Sequence, residues 1–291
     1  MANPVKLFIV EGERDRRYTE ELLKCFFKGK YTAKFISLSA NQNLYMLYDK
    51  LAEDNFETDI VEVLRENVDT AIEELNGITK QDISEVYLFF DYDPQQKNIR
   101  SGGESAEERI RLLLSTFDNE TENGRLYLSY PMVEAVYDYR GGGCKAFSDC
   151  FVPIGEIGHY KELSGKDNPI ASQNLKINHW REILNTFYLR LTCLLGFEDI
   201  GYSFYRNRIS PQVLFEIEKN VMDNTKSVFV LSALPEFLFD YFKEDFWRTM
   251  VRRKKKALKN RNDCSEVALK ILTERQKTED LTKTLVRESS R

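Results

Sequence analysis

The amino-acid sequence predicts an α/β protein: a parallel, Rossmann-like sheet flanked by helices, with an additional, mainly helical C-terminal region. Three observations carry this. β-Prone runs alternate with amphipathic helical runs from Val5 to Leu128, the pattern of strands joined by crossover helices. One of those runs, Val86-Tyr87-Leu88-Phe89-Phe90, is apolar without interruption, as a strand covered on both faces requires. Beyond Gly141-Gly142-Gly143 the apolar residues recur at helical spacing instead.

Taken in order, Val5 to Val10 make the first strand and stop at Glu11-Gly12. Between Asp15 and Phe27 the apolar residues Tyr18, Leu22, Leu23, Phe26 and Phe27 share one helical face. Ala33 to Leu38 give the second strand, and residues 43–77 show helical periodicity closed by Gly77. Val86 to Phe90, the third strand, runs straight into Asp91-Tyr92-Asp93-Pro94. A polar loop over 95–103, a helix over 106–117 and a fourth strand at Leu126 to Leu128 follow. Residues 172–222 are expected to be mainly helical around Trp180, Phe187, Tyr188 and Leu191. Segment 227–232 is a candidate to return one strand to the first sheet, and Pro235 opens a helix leading into a basic segment at 248–261. The chain thus divides into residues 1–145 and 146–291.

Composition excludes several classes. With 291 residues and 42% hydrophobic content the chain can bury a sizeable core, which rules out wholesale disorder. No apolar run approaches the roughly 18 residues of a membrane span. The apolar stretch Leu7 to Val10 is too short for a secretory signal and is closed by Glu11. Five cysteines, an odd number with no CxxC pair, then read as reduced thiols in a cytoplasmic protein. Only two histidines are present, which leaves little room for a His-based zinc site. No GxxxxGK[ST] loop is present, so any ATPase involved is a partner. Eight basic residues and no acid lie between Arg248 and Arg261; setting them aside leaves 34 basic against 47 acidic residues, a net of −13. An acidic body with one basic segment suits a local grip on phosphates or an acidic partner, through Arg252, Arg253, Lys254, Lys255 and Lys256, better than general coating of nucleic acid. A solvated helix end is the plainer use of the same segment.

The chemistry therefore falls to carboxylates. Glu11 follows the first strand, and Asp91 and Asp93 follow the third. In an open parallel sheet the crevice beyond the carboxyl ends of the strands is where ligands bind. Asp15 lies one helical turn beyond Glu11, on the same face. Acids crowded there repel one another unless a cation neutralises them. An all-oxygen set suits Mg²⁺ or Mn²⁺, ions that serve phosphoryl transfer. Singly, each acid has a simpler use: Glu11 as a helix cap, Asp91 and Asp93 in a turn before Pro94.

Ile9-Val10-Glu11-Gly12-Glu13-Arg14-Asp15 resembles the first motif of Toprim domains, and Phe89-Phe90-Asp91-Tyr92-Asp93 is similar to their Asp-x-Asp motif. Tyr130-Pro131-Met132-Val133-Glu134 resembles the post-strand glutamate of Toprim nucleases related to the OLD (overcoming lysogenization defect) family. It is also similar to the small Toprim effectors encoded beside an ABC-type ATPase in anti-phage systems. The resemblance covers about residues 5–140. It implies a metal-dependent endonuclease using one or two Mg²⁺ or Mn²⁺ ions, with Glu11, Asp91 and Asp93 catalytic. Glu11, Asp15, Asp91 and Asp93 would be metal ligands, and Glu134 a ligand of a second ion. It further implies a DNA or RNA substrate, an ABC-type ATPase partner, a homodimer when active, and a role as toxic effector in defence. The catalytic lysine of OLD-type nucleases has no clear match here; Lys145 and Lys226 are the candidates. The other readings are a primase- or topoisomerase-type Toprim activity and a non-catalytic Toprim-like subunit.

Overall fold

The computed structural model describes residues 3–38, 43–92, 94, 104–138, 150–166, 168, 170–171 and 173–251. Asp93, Gly141 to Gly143, Lys145 and Arg252 to Lys256 lie outside the described residues. The core is a five-stranded sheet. Strands β1 (Val5–Val10), β2 (Thr32–Ser37), β3 (Ile83–Asp91) and β5 (Gly124–Ser129) are parallel, in the order β2-β1-β3-β5. A two-residue strand, β4 (Asp118–Asn119), runs antiparallel along β5. Every residue of β1 is buried, and β3 is buried from Val86 to Phe90, which accounts for their unbroken apolar runs.

Helix α1 (Glu13–Phe26) crosses from β1 to β2 and buries Tyr18, Leu22 and Leu23. The 43–77 stretch is not one helical run but three helices, α2 (Leu44–Ala52), α3 (Ile60–Asn67) and α4 (Asp69–Glu74). The break has a local cause. Asn55 and Phe56 take φ of 59° and 63°, a left-handed backbone that no α-helix continues through, and Asp59 then caps α3 by accepting from the Val61 amide at 2.9 Å. Helix α5 (Ala106–Thr116) starts on a capping box formed by Ser105 and Glu108 and returns the chain toward β5.

The C-terminal region contains helices α6 (Tyr160–Gly165), α7 (Ile177–Leu195), α8 (Tyr202–Arg208), α9 (Pro211–Thr225) and α10 (Ala233–Met250). The 227–232 segment does not enter the main sheet as a strand. β7 (Ser227–Phe229) pairs with β6 (Phe151–Pro153) in a separate two-stranded ribbon. The edge of β5 is already taken by β4 near its start. The returning chain therefore meets the sheet only past the end of β5, in a single Tyr130–Leu231 bridge.

Helix α10 covers one sheet face. Phe35, Phe8 and Tyr87 stand side by side on adjacent strands, as do Phe89 and Tyr127. Phe237 of α10 sits over this aromatic row, its ring 4.8 Å from Tyr87, 5.4 Å from Phe89 and 5.8 Å from Tyr127. Buried side chains of the two halves of the chain form one continuous cluster. The sheet is thereby packed on this face by a helix from the second half of the chain. No helix among the described residues is long and apolar enough to cross a membrane.

Candidate metal centre

From β1 the chain passes to β2 on one side, and β3 then lies on the other side of β1. In open α/β sheets such a reversal marks where ligands bind, in the crevice beyond the carboxyl ends of the strands, here those of β1 and β3. Glu11 is the first residue after β1 and Asp91 the last of β3. The two are joined directly: the Asp91 amide donates to Glu11 Oε2 at 3.0 Å. Asp15 projects from the first turn of α1 and is 7% exposed. β5 is the next strand along. The chain leaving it enters a short 3₁₀ turn, Val133–Val136, which carries Glu134 at 3% exposure. Three adjacent strand ends thus bring together acids that are up to about 120 residues apart.

The charges of these acids act on one another. Burial, followed by the charges of Glu11 and Glu134, pushes the Asp15 carboxyl up to about 8. Burial pushes Asp91 well above the usual carboxylate range, and Asp15, Glu11 and Glu134 add to it in that order. Asp91 is half-buried as a residue, yet its Oδ1 is sealed from solvent and has no hydrogen-bond partner, a costly position for a carboxylate oxygen. Among the described residues no lysine or arginine is paired with Asp15 or Asp91. Glu134 differs, because the Arg14 guanidinium donates to its Oε1.

An oxygen-only donor set, an orphaned buried carboxylate oxygen and mutually repelling acids together fit a hard divalent cation. Glu11, Asp15 and Asp91 would hold it. Among the described residues no three such side chains are already closed into a ligating set, so the geometry is an acid-lined crevice rather than a finished coordination sphere.

Of the residues expected at the site, Glu11, Asp15, Asp91 and Glu134 are brought together, and Asp93 lies outside the described residues. Lys226 caps α9 at the surface and donates to the Asp223 carbonyl at 2.9 Å. Arg14 was not singled out by the sequence, although it stands within the Glu11–Asp15 motif. Its only sequence signal is that position, since its partner is 120 residues away. Comparison with known protein families, with curated proteins and with solved structures finds no match to this chain.

Proposed function

We propose that this protein is a divalent-cation-dependent nuclease of the Toprim type, hydrolysing phosphodiester bonds in DNA or RNA at the crevice between β1 and β3. The observation that carries the reading is the convergence of Glu11, Asp15, Asp91 and Glu134 from three adjacent ends of a parallel sheet. Acids kept in an unfavourable buried cluster indicate a cation-binding role more readily than a structural one. A bound Mg²⁺ or Mn²⁺ would lower the pKa of water and offset the charge that builds on a phosphate under attack.

The chain's own groups do the rest. Asp15 and Asp91 would present carboxylate oxygens from a helix start and a strand end that pack on the core. Glu11 Oε2 is oriented by the Asp91 amide, so Glu11 and Asp91 act as one unit. Glu11 would be the group that accepts a proton from the attacking water. By resemblance the biological setting is anti-phage defence, with activity governed by an ABC-type ATPase; the acidic body with its one basic segment is the reason to add self-association. The test is cleavage of plasmid DNA and of structured RNA by the full chain with Mg²⁺ or Mn²⁺, comparing wild type with Glu11→Gln. Cleavage that needs the cation and is lost in the variant supports the reading. Cation-independent cleavage, or equal cleavage by the variant, contradicts it.

A further inference from the structure

The crevice is not uniformly short of positive charge. Asp15 and Asp91 have no basic partner among the described residues, whereas Glu134 has one in Arg14. The two halves of that ion pair are differently placed: the Glu134 side chain is 4% exposed and that of Arg14 is 39% exposed. The guanidinium therefore reaches a buried anion from a side chain that is itself partly open to solvent. Both residues are set by local structure. Arg14 is in the first turn of α1, one residue before Asp15, and Glu134 is in the 3₁₀ turn that follows β5. The charge of Glu134 reaches both Asp15 and Asp91, so pairing it with Arg14 lowers the negative potential of the whole crevice.

We infer that Arg14 is the site's built-in second cation: it occupies the Glu134 side of the crevice, leaves Glu11, Asp15 and Asp91 to a single divalent ion, and turns its exposed edge toward the incoming phosphate. This rests on the reading of the crevice as a cation site. It differs from the two-ion arrangement in which Glu134 is a metal ligand. A guanidinium suits the place, because it stays charged at any working pH and its planar fork can bridge a carboxylate on one side and phosphate oxygens on the other.

The experiment counts bound Mn²⁺ by the loss of the free-ion electron paramagnetic resonance signal, using the full chain. Wild type should bind about one ion and Arg14→Lys the same, since the positive charge is kept. Arg14→Gln should bind about two ions, because Glu134 is then open to a cation. As a variant that leaves Arg14 in place, Glu134→Gln should bind its ion about tenfold more weakly, the guanidinium now repelling it. Two ions in wild type, or an unchanged count in Arg14→Gln with unchanged affinity in Glu134→Gln, would overturn the inference. The ion pair would then only fasten α1 to the 3₁₀ turn, and a lower melting temperature would be the sole effect. Wild type that binds no Mn²⁺ overturns the cation site itself, a failure distinct from the first.

Discussion

At the scale of single residues, the carboxylates of the crevice are kept in positions that cost stability. Asp91 has a sealed, unpartnered oxygen and three acidic neighbours. Asp91→Asn should therefore abolish cleavage while making the cation-free protein more stable at neutral pH, because the amide has no charge to bury beside three acids. It should also abolish any rise in melting temperature caused by Mg²⁺ or Mn²⁺; a thermal scan with and without the ion checks both. Glu218 offers a second test away from the crevice. Its Oε2 accepts from the Phe229 amide at 3.1 Å, its Oε1 has no partner, and burial holds its carboxyl well above the ordinary value of 4.5. A carboxyl raised in the folded state contributes stability that is fully present below its unfolded pKa and is lost as pH climbs toward the folded value. Glu218→Gln should thus match wild type near pH 4.5 and exceed it in stability at pH 8. Urea unfolding at the two pH values measures the difference, and equal gaps at both would contradict the assignment.

At the scale of elements, what was readable in the sequence followed from one-dimensional signals. β1 and β3 were legible because strands buried on both faces leave unbroken apolar runs, and their terminal acids stood out by contrast. The breaks within 43–77 were not legible, because Asn55 and Phe56 take left-handed backbone without a glycine to announce it. Nor was the β6–β7 ribbon, whose three-residue strands are too short to show any period. The partnership of Arg14 with Glu134 was invisible for a different reason: it is created by strand order, which no local pattern encodes. Gly124, at the start of β5, is a positional requirement that the fold reveals. It has φ of +114°, and a Cβ there would stand 2.9 Å from Leu88 Cδ1 and 3.2 Å from Val86 Cγ1. Gly124→Ala should destabilise by about 1–3 kcal/mol through strain and overpacking against β3, read by chemical unfolding. Phe237→Ala, which strips the aromatic row of its cover, should cost about 3–5 kcal/mol in the same assay. Because α10 backs the sheet beneath the crevice, that variant should also weaken cation binding.

At the scale of the whole molecule, the proposed function asks an acidic body to meet a polyanion. With the 248–261 segment set aside the chain is at −13, and a bound cation offsets that only locally. Of that segment only Arg248 to Val251 are described, and Arg248 is paired with Glu244. We expect the isolated chain to cleave poorly and its specific activity to rise with protein concentration, or with an ABC-type ATPase, as a second copy or partner supplies positive charge. Neutralising Arg252 to Lys256 should flatten the salt dependence of nucleic-acid binding. Cleavage rate against concentration, with light scattering for mass, tests the first expectation. A fully active monomer whose rate is independent of concentration and partner would contradict it. The central claim, however, concerns where a cation sits. Anomalous scattering from crystals of the full chain grown with Mn²⁺ tests it most directly. The account predicts a peak enclosed by the carboxylates of Glu11, Asp15 and Asp91, beyond the ends of β1 and β3. Well-ordered density for those side chains with no anomalous peak among them at millimolar Mn²⁺ would contradict it.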